Sequence, residues 1–106
     1  MKPAGLVWEM TRCEAEAVLD DVEAVIIPTG SLEQHGVHLP MGHDTASALF
    51  IATKAAERLY PKILVAPPIA VGLSPHHMRW PLSLTLRPAT FLALLLDLAS
   101  SLKQHG

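Results

Sequence analysis

Charge is scarce in this chain of 106 residues: Asp, Glu, Lys and Arg make up 17% of it, against about 25% in an average soluble domain. Apolar area that one chain cannot bury is normally buried by a partner, so so dry a surface calls for cover from further chain or from other subunits. The 8 basic and 10 acidic residues are mixed along the chain and leave a formal charge of −2. That pattern has no basic stripe for nucleic acid and no cationic helix for a membrane surface, and neither is an expected partner. Long hydrophobic runs are missing as well. The longest candidate, Ala89 to Leu102, is interrupted by Asp97, Ser100 and Ser101 and falls short of the roughly 20 residues a bilayer requires. Cys13 is the only cysteine, so no internal disulfide can form, and a reducing cytoplasm is the expected compartment. Met1 to Trp8 contains Pro3 and Gly5 and leads into the charged segment Glu9 to Glu16, unlike a secretory leader. With no repeat, linker or composition break, residues 1–106 are expected to form one domain or a portion of one.

What is present alternates between strand and helix patterns. Thr11 and Glu14 have the capping-box spacing, predicting a short helix from Arg12 to about Asp20. Ala24 to Pro28 is a short apolar run with Val25, Ile26 and Ile27, which reads as a strand buried on both faces, as in a parallel sheet. From Thr45 the pattern is helical, with Leu49, Ala52, Ala56 and Leu59 forming a stripe suited to a sheet, and Pro61 ending it. Ile63 to Ala66 predicts a second buried strand, stopped by Pro67 and Pro68. Strand, helix, strand implies a right-handed parallel crossover, and hence an α/β architecture. Ile69 to Met78 reads as a loop, Leu82 to Leu86 as a short strand exposed on one side, and Pro88 as the opening of a last helix through Gln104. In such sheets ligands gather beyond the carboxyl ends of the strands, so the loops after both strands are expected at one edge.

The first of those loops, G-S-L-E-Q-H-G-V-H-L-P-M-G-H-D from Gly30 to Asp44, concentrates metal-ligand chemistry. Glu33 and His35 are two apart, so an extended backbone points both the same way while Gln34 points away. A carboxylate and an imidazole converging on one point suit zinc or manganese, which take mixed oxygen and nitrogen ligands, better than calcium or magnesium. Asp44 suits two roles, a cap for the following helix or a ligand reaching back over the loop, where its two oxygens can bridge a pair of ions.

The stretch P-T-G-S-L-E-Q-H-G-V-H-L-P-M-G-H-D-T resembles the first metal motif of the creatininase family of metal-dependent amidohydrolases. A-P-P-I-A-V-G-L-S-P-H-H-M-R-W-P is similar to that family's second signature, and L-S-L-T-L then leads into a helix. The resemblance runs from about Trp8 to Gly106. It implies a three-layer α/β/α fold with a mainly parallel central sheet, of which this chain is the N-terminal part. It implies two divalent ions per site, zinc or manganese or both, with iron also compatible. Glu33 would ligate one ion, His35 the other, and Asp44 would bridge them. His77 matches the histidine of the second signature and takes a catalytic role facing the substrate or supporting the site; His38 orients the loop, and His105 is solvated.

Some positions depart from the pattern. His43 stands where a small residue such as Thr is usual, which offers an extra ligand or a pH-sensitive neighbour. His76 stands where an acid is common, and W-P-L-S replaces a pattern written with Gly and Thr. The family's remaining ligands come from a later N-G-H motif and a further acid, whereas this sequence has no asparagine. The expected function is therefore that of a creatininase-type amidohydrolase hydrolysing a cyclic or non-peptide C–N amide bond with a metal-activated water. Its partners would be a small-molecule amide substrate and further copies in a homo-oligomer, and these residues alone would turn over little. A formamide hydrolase or peptidase of the same family is an alternative, and a truncated, non-catalytic metal-binding or assembly subunit is the rival from another class.

Overall fold

The computed structural model describes residues 4–106. Helix α1 (Arg12–Val18) starts at Thr11, whose hydroxyl accepts the Glu14 amide at 3.1 Å. The Glu14 carboxylate in turn accepts that hydroxyl's proton at 3.3 Å, so one half of a capping box is made. A single 3₁₀ turn, Leu19–Asp21, carries the chain on to strand β1 (Ala24–Ile26). Helix α2 (His43–Leu59) crosses to strand β2 (Ile63–Val65), and the two strands pair in parallel with Val25 opposite Leu64. Helix α3 (Pro88–Gln104) has Pro88 in its first turn, where the missing amide proton costs nothing. Among the described residues no helix is long and apolar enough to cross a membrane.

Small side chains let α2 settle onto the sheet. Ala52 and Ala56 are buried with Val65 and Leu6, and Leu49, Ile26 and Ile63 pack around them. Two of the four predicted stripe residues thus lie at the centre, whereas Leu59, in the last turn of α2, is 51% exposed because the helix has run past the core. Tyr60, held extended ahead of Pro61, ends the helix as expected. The segment Gly5–Leu6, which carried no strand signal, lies along β2 on a parallel bridge from Leu6 to Val65, with Val65 donating its amide to Gly5 at 2.7 Å.

Beyond the strands the two chains keep side by side. Ile69 donates to the Pro28 carbonyl at 2.9 Å and Gly30 to the Ile69 carbonyl at 2.8 Å, so both loops leave at one sheet edge. Their backbones close in because two glycines allow it. A Cβ on Gly30 would meet the Thr45 backbone at 2.5 to 2.6 Å, and one on Gly72 would meet the Gly30 carbonyl oxygen at 2.7 Å. The expected strand at Leu82 to Leu86 is absent. In its place a single antiparallel bridge joins Leu84 to Leu32, and Leu82 has φ 63°. A left-handed residue breaks the extended run, so the segment ties itself to the loops singly, through Leu84 to Leu32, Leu86 to Gly72 and Thr85 Oγ1 to the Ser74 amide.

Candidate metal centre

The loop from Gly30 folds back on itself at Gly36, whose φ of 71° suits a residue without Cβ, and returns to α2 by way of Gly42. Helix α2 begins at His43, two residues before the predicted start, with Gly42 as its N-cap and no side-chain cap. Asp44 is therefore no cap. Its carboxylate instead reaches back over the loop, accepting the Ser31 hydroxyl at 2.6 Å and lying 3.2 Å from His35 Nε2. The Ser31 hydrogen bond is the main cause holding the Asp44 carboxyl below its ordinary value, opposed by partial burial and helped by His35.

Glu33, His35 and Asp44 are brought together, offering three ligand atoms all within 4.8 Å of one another. A second set shares one member: Glu33, His76 and His77 meet the same limit, with His77 Nε2 3.7 Å from Glu33 Oε2. The 3₁₀ turn Pro75–His77 presents these two imidazoles from the second loop. Glu33, its side chain only 15% exposed, is thus the point where the loops meet. His43 is stacked edge-on against His35 at 5.1 Å between ring centres and enters neither set among the described residues. His38 and His105 are exposed, as expected for His105, and enter neither set.

The donors suit a divalent ion on a local observation. His35 Nε2 is buried without a hydrogen-bond partner although Asp44 Oδ2 lies at 3.2 Å. A ring nitrogen buried close to a carboxylate without a well-aligned hydrogen bond, with a second carboxylate in reach, gives an oxygen, oxygen, nitrogen set that fits zinc or manganese. Ser31 and Gln34 were missed in the sequence. Ser31 shares the alternate spacing of Glu33 and His35, a signal that was there to read. Gln34, expected to point away, instead bonds toward His77 because the turn at Gly36 rotates it to the second loop.

The family model for creatininase, creatinine amidohydrolase, matches residues 8–106. A mycofactocin precursor peptide peptidase of Mycolicibacterium smegmatis is 36% identical over 84 residues, 76% of this chain and 34% of that protein. A 3-dehydro-scyllo-inosose hydrolase of Thermotoga maritima is 31% identical over 109 residues, 99% of this chain and 34% of its own. Creatinine amidohydrolase of Pseudomonas putida is 30% identical over 112 residues, spanning 100% of this chain and 42% of that one. Among solved structures, creatininase in a form named for manganese superposes at TM-score 0.86 with 30% identity, over 96% of this chain and 41% of that chain. A mutant creatininase of Zn-Zn type superposes at TM-score 0.87 with 29% identity, over 99% of this chain and 42% of that chain. The α/β fold is the one these enzymes share. The chain spans between 34% and 42% of the length of these curated relatives.

Proposed function

The chain belongs to the creatininase family, and from that premise we propose that it forms part of a metal-dependent amidohydrolase whose ions would be held by Glu33, His35 and Asp44, Asp44 being the residue that would serve both. Zinc and manganese are the candidates, from the donor chemistry and from the forms in which creatininase itself has been solved. When bound, such an ion lowers the pKa of water toward about 7 and polarises a carbonyl. The chain's own residues prepare that chemistry. Ser31 and His35 keep the Asp44 carboxyl ionised and turned into the loop. His77, with Nε2 3.7 Å from Glu33 Oε2, would support the site from beside that carboxylate.

The observation that carries this reading is the convergence of Glu33, His35 and Asp44, with the buried His35 Nε2 3.2 Å from Asp44 Oδ2. The relatives' names span creatinine, a precursor peptide and an inosose, and all three name hydrolases or amide-cleaving enzymes. A small-molecule amide is the proposed substrate and other copies of the chain the proposed partner. With these three donors alone, weak metal binding and little turnover are expected of the 106 residues by themselves. A metal-binding assembly subunit without turnover is the second reading, favoured by the large apolar side chains exposed on α2 and α3, among them Phe50, Ile51, Leu92 and Leu96.

Elemental analysis of the purified protein beside a Glu33→Gln, Asp44→Asn double variant tests the metal assignment. Zinc or manganese is expected in the first and lost from the second; equal content in both would remove it. Slow release of an amine from a panel of small amides, above the uncatalysed rate with the metal-loaded protein and not with the double variant, separates the hydrolase from the assembly subunit.

A further inference from the structure

Gln34 links the two polar loops, and the way its amide faces is decided by the backbone. The Gly36 amide lies 2.7 Å from one side-chain atom of Gln34. A peptide N–H only donates, so that atom is the carbonyl oxygen Oε1, and the side-chain nitrogen Nε2 is the atom facing His77 Nδ1 at 3.4 Å. A carboxamide nitrogen has protons to give and no lone pair to receive with, so Nδ1 is the acceptor and carries no proton. A neutral imidazole has a single N–H, which is then on Nε2, the nitrogen 3.7 Å from Glu33 Oε2.

We propose that Gln34 is a positioning residue that sets the tautomer of His77, keeping its one proton on Nε2, the nitrogen on the Glu33 side, so that His77 does not act as a metal ligand there. This choice resolves the two overlapping ligand sets. Glu33, His76 and His77 hold an ion through His77 only if its Nε2 is bare, and Nδ1 is already taken by Gln34. Glu33 is therefore left to the set with His35 and Asp44, with the N–H edge of His77 turned toward its carboxylate at 3.7 Å. The position of the proton follows from hydrogen bonds alone; its use in steering Glu33 rests on the metal-site reading above.

The test is the protonation state of the two His77 ring nitrogens, read by ¹⁵N NMR on the metal-free labelled protein at about pH 8, where a histidine is ordinarily neutral. A His77→Phe variant identifies the signals. The expected result is a bare Nδ1 and a protonated Nε2. In Gln34→Glu the side chain still accepts the Gly36 amide but presents only acceptors to His77, so Nδ1 is expected to shift to the protonated class. A protonated Nδ1 in the unaltered protein overturns the proposal, as does an Nδ1 that stays bare in Gln34→Glu. If that variant does not fold, the unaltered protein alone decides. Because the protein is metal-free, failure of the metal-site reading is seen separately, as equal metal content in the Glu33, Asp44 double variant, and leaves the NMR result untouched.

Discussion

Asp44 shows how much a single side chain's role depends on what lies thirteen positions earlier. Its place ahead of T-A-S-A fits a helix cap or a ligand equally, and the Ser31 hydroxyl decides for the second by turning the carboxylate back over the loop. The same bond has a consequence for stability. The folded Asp44 carboxyl titrates below its ordinary value, so the unfolded chain binds the proton more readily. Its contribution is therefore fully present above the unfolded value near about 4 and is lost as the pH falls through the lower, folded value. In metal-free protein the stability gap between the unaltered chain and Asp44→Asn, from urea melts, is expected to close below about pH 4. A gap that widens on acidification would contradict this account of the carboxylate.

At the scale of elements, the site is made by two loops held together at backbone distance rather than by one well-formed strand pair. Gly30 is the tightest point. A methyl group there would press on the backbone of Thr45 in the first turn of α2. Gly30→Ala is expected to cost about 1–3 kcal/mol in chemical denaturation, as overpacking does, and to weaken metal binding together with stability, since the start of α2 carries Asp44. Helix α1 makes a contrasting case. Its cap is exposed and far from the loops in sequence, so Thr11→Ala is expected to cost about 1 kcal/mol with metal content unchanged. Leu82 sits at φ 63° with its side chain 83% exposed. A left-handed leucine is strained, and Leu82→Gly is expected to be tolerated where substitution of an extended residue by glycine would destabilise.

The molecule as a whole is flatter and wetter than its length warrants. Its radius of gyration is 15.5 Å, against about 13 Å for a compact chain of this size. It exposes 7360 Å², where about 5,800 Å² is usual for its mass. The difference exceeds the roughly 800 Å² that one partner buries in a standard interface. Helix α3 illustrates the cause: none of its 17 residues is buried, and Leu92 and Leu96, one turn apart, are 57% and 56% exposed. Self-association is the expected outcome in sedimentation, and Leu92→Glu with Leu96→Glu is expected to shift the protein to a smaller species. An unaltered chain that sediments as a monomer would remove the homo-oligomer from the proposal.

Much of this was readable along the chain, and the division follows from range. Periodicity and stop signals act over a few residues, so β1, α2, β2 and α3 were legible to within a few positions, as was their parallel crossover. Ligand chemistry is a property of residue type, so Glu33, His35 and Asp44 stood out as candidates before any distance was known. Leu82 to Leu86 was misread because alternation predicts a strand only when a neighbour offers a full ladder, and here the neighbours were two loops. What the tertiary structure alone decided lies at longer separation: Gln34 meeting His77 across 43 positions, Glu33 standing between two ligand sets, and Gly5 to Leu6 lying beside β2. No pattern in one segment records the place of another; that is set when the sheet brings both loops to one edge and the glycines let them close.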